Sequence, residues 1–396
     1  MIELGRMARD GPLRSMLEQP WLQPWNGVEG IALSYDKWLV ASAEHLLTSV
    51  IPPEWRGSIE HSRYVAQLLA AVAVRSGEDA VAETDLPALL VDQLFERWQV
   101  VANGSTRRRS PIIVEVAVTE GFGREALPRP EAIRDSPYDY HIKRSRGAKL
   151  QAAASGGMIT AGDRGYARSY GTLGGFLVDD HTLEIFGVTA AHVCNGSTGY
   201  ALPLPLPRAP KPIRDTLRLM LDLYVRRWAK EECPSHWASR AATVAPQSCT
   251  AQATPRTDGL DVALHKVAPQ TSLRSAQVAD LSDLSPVLNL SFTGATSGFQ
   301  RVRVTSYSIW HSYTLNETNV CIHDCLQIKL ADRPYLRSDL SRGGDSGAWL
   351  LARGPGGIHW VGLLTGGDGE LAGLVPATRI VERLQTELGS SMSALI

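Results

Sequence analysis

Gly343-Gly344-Asp345-Ser346-Gly347-Ala348 is the stretch on which the reading of this chain turns. Glycines on both sides of a serine permit a tight backbone loop whose N–H groups converge on one point, where negative charge can be held. A serine hydroxyl is a poor nucleophile until a base takes its proton, and the base must itself be held in the right tautomer. Both partners are available upstream. Val188-Thr189-Ala190-Ala191-His192 closes a β-rich run with small residues and delivers a histidine. Asp258-Gly259-Leu260-Asp261-Val262-Ala263-Leu264 sets an aspartate at the opening of an apolar strand, where a buried edge can hold it. His192 and Asp261 are 69 residues apart and Asp261 and Ser346 are 85 apart, room for strands and insertions between them.

The three islands, in the order His, Asp, Ser, resemble the trypsin-like serine peptidases of chymotrypsin fold. The resemblance covers about residues 150 to 390. It implies a mainly β double barrel in which His192 is the general base, Asp261 its orienting carboxylate and Ser346 the nucleophile. Gly344 and Ser346 would supply the oxyanion-hole N–H groups. Subtilisin-like enzymes and α/β-hydrolases have other chain orders. More loosely, the chain is similar to intracellular bacterial members in which a small strand-containing unit, here 112 to 150, precedes a first hairpin like Gly171-Thr172-Leu173-Gly174-Gly175-Phe176-Leu177-Val178-Asp179-Asp180.

Departures from the family are informative. Secreted members place a Cys directly after the catalytic His; here Val193 stands there and Cys194 comes one place late. Ala348 replaces a second Gly after the serine. No Arg-Ile-Val-Gly-Gly-like stretch precedes the first barrel, which argues against activation by a freed α-amine pairing with Asp345. For specificity the resemblance points to Leu340, six before the serine, and to Thr365, Gly366 and Gly367 as the strand that pairs with substrate backbone. Gly367 and Gly373 would leave the pocket mouth open. The expectation is an apolar P1 residue; Asp339 and Asp368 are the residues that would change it.

Composition narrows the class. The 396 residues call for two or more domains, and 44% hydrophobic against 20% charged residues gives enough apolar mass for real cores. Forty Lys+Arg against 41 Asp+Glu argues against nucleic acid or a membrane surface as the main partner. No secretory leader is expected, as no positive head followed by an apolar stretch occurs in the first residues, and Ala66-Gln67-Leu68-Leu69-Ala70-Ala71-Val72-Ala73-Val74 is too short to span a bilayer. Five Cys, an odd number, fit a reducing cytoplasmic setting.

The expected domains are a helical unit over 1–104, a linker and small strand-containing α/β unit over 105–150, and the protease domain over 151–396 with a helical insertion at 212–230. Helices are expected over Val40 to Val50, Ile59 to Arg75, Leu86 to Val100 and Thr378 to Leu388, the last stopped by Gly389. Trp21, Trp25, Trp38, Trp55 and Trp98 read as core anchors. Cys321-Ile322-His323-Asp324-Cys325, with Cys233 and His236, would make a zinc site if the fold gathered them, and some viral relatives hold a structural zinc. Neither spacing is the usual C-x2-C, so no metal and no cofactor is expected.

The expected activity is that of a serine endopeptidase, a hydrolase that cuts a protein substrate through an acyl-enzyme, in a bacterial signalling or defence setting. Its activity should rise as His192 loses its proton. Residues 1–104 are expected to be a regulatory adaptor for a protein partner. The rival reading is a catalytically vestigial protease fold kept as a binding module or scaffold.

Overall fold

A computed structural model describes residues 1–10, 13–17, 19–22, 27–77, 85–104, 110–119, 122, 136–145, 149–150, 158–163, 166–194, 199–201, 231–232, 238–239, 260–267, 273–315, 318–331 and 340–396. The expected insertion at 212–230, the linker 105–109, Trp25, Cys233, His236, Cys249 and Asp339 lie outside the described residues.

The N-terminal region starts with α1 (Ile2–Asp10) and α2 (Leu13–Leu17), then β1 (Val28–Tyr35), α3 (Lys37–Leu47), α4 (Ile59–Arg75) and α5 (Ala88–Asn103). Asp36 accepts from the Trp38 and Leu39 N–H groups, which is why α3 begins ahead of the expected Val40. Ser58 accepts from the His61 N–H and starts α4 at the expected residue. Trp21 and Trp98 are buried, and Trp38 packs 6.4 Å from Trp98 between ring centroids. β1 is the element the helical reading of 1–104 lacks. Apart from Glu29 its residues are all buried, so neither face alternates with polar residues and the period of two that betrays a strand is missing.

β2 (Ile112–Val118) shows that period, with Ile112, Val114, Val116 and Val118 buried. It runs antiparallel to β1, from Val28 opposite Val118 to Tyr35 opposite Ile112, and parallel to β3 (Asp139–Arg144). The short β4 (Lys149–Leu150) follows. β5 (Met158–Asp163) and β6 (Tyr166–Thr172) form a hairpin. β7 (Gly175–Asp179) and β8 (Ile185–Ala190) form the next, and the one-turn α6 (Ala191–Cys194) continues directly from β8. β9 (Gly199–Ala201) adds to β5, β10 (Glu231–Glu232) to β9, and β11 (Ala238–Ser239) to β12 (Val262–Val267). β12 lies antiparallel to β8 over its whole length.

After β13 (Ser275–Val278) comes a closed antiparallel barrel. Its strands are β14 (Leu290–Gly294), β15 (Gly298–Leu315), β16 (Thr318–Leu330), β17 (Trp349–Gly354), β18 (Gly357–Gly367) and β19 (Ala372–Pro376). The ring runs β14, β15, β16, β19, β18, β17 and back to β14. Closure removes the exposed edges an open sheet would leave. β15 and β16 are a long hairpin, where short pieces were expected; its register shifts at Val304/Ser306, and β15 shifts again against β1 between Trp310 and Ser308, irregularities that favour a bend. α7 (Ala377–Leu388) ends at Gly389 in the left-handed region, φ 71°, and β20 (Met392–Leu395) ties β13 to β7.

The N-terminal region and the barrel share one core. β1 pairs with β15 through Gly30 opposite His311 to Leu33 opposite Tyr307. Leu4, Met7, Leu33, Leu69 and Val114 sit in the same apolar cluster as Val302, Leu326 and Leu364. Arg63 of α4 forms a two-pronged pair with Asp283, and Ser62 hydrogen-bonds Ser285 in the buried interior. The boundary expected near 104 therefore falls inside a continuous sheet, β1 before it and β2 after it. A second cluster joins Leu177, Val188 and Val262 to Trp349, Trp360 and Leu363; the Trp349 and Trp360 rings stack 3.9 Å apart. That cluster is the seam on which the site is built.

Candidate active site

His192 and Asp261 are delivered by neighbouring strands. His192 stands in α6 at the end of β8, Asp261 at the start of β12, and Val262 lies opposite Ala190. The Ala191 N–H donates to the Asp261 carbonyl at 2.9 Å, locking the two strand ends together. One carboxylate oxygen of Asp261 accepts from the His192 backbone N–H at 2.9 Å, and the other lies 2.7 Å from His192 Nδ1. The carboxylate thus fixes both the position and the orientation of the ring. Both side chains are 2% exposed, which keeps this pair from being screened by solvent. Asp261 takes a positive φ of 52°, uncommon for a residue with a side chain, and the bonds to His192 and Ala191 hold it there. His192 Nε2 is buried and has no hydrogen-bond partner among the described residues.

Ser346 comes from the other side of the seam, in the loop that enters β17. Gly344 and Gly347 have φ of 104° and 94°, accessible to glycine. A Cβ on Gly347 would strike the Thr172 carbonyl, the Thr189 hydroxyl and the Ala190 N–H, so the loop can rest against the end of β8 only with glycine there. The loop is pinned by its carbonyls. Thr172 Oγ1 donates to the Gly344 carbonyl at 2.7 Å, and the Thr172 N–H donates to the Ser346 carbonyl at 2.8 Å. Ser346 Oγ donates to the Thr365 carbonyl at 2.6 Å.

Asp345, fully buried, is the second anchor. Its carboxylate accepts from the Thr296 N–H at 2.7 Å, the Ser297 N–H at 3.0 Å, the Ser297 hydroxyl at 2.6 Å and the Arg342 N–H at 2.8 Å. Charge-assisted bonds to four neutral donors satisfy a buried carboxylate without a cation. The loop is held in shape by the turn between β14 and β15. Thr172, Thr296 and Ser297 were not singled out from sequence, because each acts on a loop remote along the chain.

The residues expected to contact substrate are placed as follows. Thr365, Gly366 and Gly367 form the end of β18, beginning at the carbonyl that holds Ser346 Oγ. Gly367 and Gly373 line a cavity of about 180 Å³ with His311, Tyr313 and Asp368. A Cβ on Gly373 would meet the Tyr313 hydroxyl, so this glycine admits a buried tyrosine. Leu340 is fully buried in the larger core and does not line that cavity. Burial lowers the His311 pKa from 6.5 to about 4, and its ring stands edge-on to Tyr313 at 4.9 Å. A larger cleft of about 750 Å³, with Trp55, Phe299, Arg301, Arg303 and Arg353 in its walls, contains neither His192, Asp261 nor Ser346. Cys321 and Cys325 are buried free thiols, Cys321 Sγ lying 3.3 Å from His323 Nε2; no metal-binding cluster occurs among the described residues.

No family model matches the chain, and no curated protein matches it in sequence. Among solved structures it is similar to alpha-lytic protease homolog N4, at 14% identity and TM-score 0.33, over 61% of this chain and 98% of that one. It is also similar to the NS6 protease from murine norovirus 1, at 10% identity and TM-score 0.25, over 55% of this chain and 88% of that one. The chemistry of the site stands on its own geometry.

Proposed function

We propose that this protein is a serine endopeptidase in which Ser346 attacks, His192 carries the proton and Asp261 orients the histidine. The observation that carries the reading is the Asp261 carboxylate bonded at once to His192 Nδ1 and to the His192 backbone N–H, with Nε2 unpartnered among the described residues and the glycine-flanked Ser346 loop resting against the end of β8. An imidazole whose Nδ1 faces a carboxylate keeps its proton there and offers Nε2 as base. In this reading Ser346 Oγ leaves the Thr365 carbonyl and gives its proton to that nitrogen. Attack on a peptide carbonyl forms the Oγ–C bond, the Gly344 and Ser346 N–H groups receive the oxyanion, and His192 returns the proton to the departing amine. Water then hydrolyses the ester. No cofactor enters this scheme.

Asp345 held by Thr296, Ser297 and Arg342 supports a loop formed without an α-amine to pair with it. Residues 1–104 give the reading its regulatory part: packed into the barrel's core, they act on the site as structure, and a partner bound to them would act through β1 and β15. The binding-module reading has one observation of its own, the Ser346 hydroxyl bonded to Thr365 rather than to His192. Fluorophosphonate labelling decides between them. Ser346 should be labelled and a peptide library cleaved, Ser346→Ala should lose about 10⁵-fold or more in kcat while keeping its circular dichroism, and a wild type that neither labels nor cleaves would sink the assignment.

A further inference from the structure

The cleft of about 750 Å³ has a chemistry that the serine site leaves unused. Its floor follows from the period of two in a strand. In β15 Val302 and Val304 are buried in the core, so Phe299, Arg301 and Arg303 take the outer face. One rung joins Arg301 of β15, Ser291 of β14 and Leu351 of β17; Ala352 is buried, and Arg353 returns to the outer face. The wall is the turn that leads into α4. There the Asn289 N–H donates to the Gly57 carbonyl at 3.0 Å, and Gly57, at φ 74°, leaves no room for a Cβ beside the Asn289 amide. This contact brings Trp55 and Arg56 to the cleft. Asn289 precedes β14, and Arg353 is near the end of β17, while Ser346 precedes β17 and Gly294 at the end of β14 lies against Asp345. Asn289 and Arg353 therefore stand at the ends of these strands far from the serine loop.

The lining is strongly basic. Arg56, Arg301, Arg303 and Arg353 face one carboxylate, that of Glu54. Arg301 and Arg303 share a strand face at a spacing of about 7 Å, like charges that repel until an anion lies between them. No carboxylate pairs with Arg301, Arg303 or Arg353 among the described residues, although that of Glu60 lies against Gly354. Arg303 Nε is buried with no hydrogen-bond partner among those residues. A buried donor left in this way costs free energy that a ligand oxygen recovers. Aromatic surface accompanies the charge: Phe299 is 62% exposed, and Trp55 packs on the larger core while lining the cleft.

We propose that this cleft binds a nucleoside di- or triphosphate, with the base against Phe299 and Trp55 and the phosphates on Arg301, Arg303 and Arg353. Guanidinium forks match phosphate oxygens, and aromatic rings stack on a flat base. Acidic side chains of a peptide offer carboxylates but no flat ring. Four arginines against one glutamate call for more than one phosphate, since a terminal phosphate carries only about −2 at neutral pH. The volume falls in the range of roughly 300–1,000 Å³ that suits a small ligand. The site shares no residue with the serine chemistry and stands whether or not Ser346 is a nucleophile.

Calorimetric titration of the full-length protein with ATP, GTP and UTP in turn, without divalent cations and against inorganic triphosphate, tests the assignment. At least one nucleotide should bind at one site per chain, about tenfold or more tighter than inorganic triphosphate, the gain that stacking of the base supplies. Phe299→Leu, which keeps apolar bulk and loses the ring, should shrink that gain about threefold or more. Arg301→Ala and Arg353→Ala, both at exposed positions, should each weaken the nucleotide about tenfold and leave the melting temperature unchanged. Ser346→Ala should bind as wild type does. Absence of saturable binding by all three nucleotides overturns the site. Equal affinity for inorganic triphosphate, or displacement by a hexaglutamate peptide at matched concentration, means that charge alone is read and overturns it too. Binding that survives Arg301→Ala and Arg353→Ala together puts the nucleotide elsewhere, with the same consequence.

Discussion

The two sides of the site hold their chemistry by different means. On the His192 side, a charged side chain meets the group it serves: Asp261 grips both the ring and the backbone of His192, and paired strand ends fix the distance. On the Ser346 side, the serine sits in a glycine loop whose shape is held from behind, with Thr172 donating to the loop's carbonyls and Asp345 gripped by a distant turn. The first device fails when one carboxylate is lost. The second is distributed, so each of its parts should matter less and the loop should degrade in steps.

Substitutions can break that contrast. Asp261→Asn should have the largest effect, about 10⁴-fold in kcat, since an amide cannot hold the Nδ1–H tautomer; the loss should shrink at high pH if orientation alone were at stake. Asp345→Asn should cost about 10²-fold in kcat, with a lower melting temperature, because its NH2 would face the Arg342 or Ser297 N–H donors. Thr172→Val should cost about tenfold, and adding Ser297→Ala should lower kcat further, a graded response measured as kcat against KM. Should Thr172→Val equal Asp261→Asn in effect, the distinction between the two sides falls.

The smallest effect is on stability with pH and leaves the mechanism alone. His311 has a folded pKa of about 4 against 6.5 unfolded, so the unfolded chain binds more protons between those values. Stability contributed by neutral His311 is complete above pH 6.5 and declines as pH falls toward 4, by on the order of 3 kcal/mol in all. His311→Phe should flatten that part of the acid unfolding curve, followed by circular dichroism; an unchanged slope would rule out His311 as its source.

Much of the site was legible because His192, Asp261 and Ser346 each sit in a short local pattern of small residues or strand-opening apolar ones. Their supports were not. Thr172 reaches residues 172 positions away in the chain, and Ser297 reaches Asp345 across 48, so no window of sequence contains both partners. The helices α4 and α7 were readable from one apolar stripe and a cap, but β1 was hidden by burial on both faces. The pairing of residues 1–104 with the barrel was hidden for the same reason: β1, a strand without polar alternation, makes the link to β15.

That link also orders events in the ribosome's time. Residues 28–35 cannot find their β15 neighbours until about 280 further residues have been made, so the N-terminal sheet stays half paired during most of synthesis. The barrel and the sheet must then finish together, and the loop carrying Ser346, which emerges later still, can become competent only in a chain already complete around it. Under the proposed hydrolase reading, late assembly of this kind is itself a form of restraint: nascent fragments would have no working site with which to attack their neighbours.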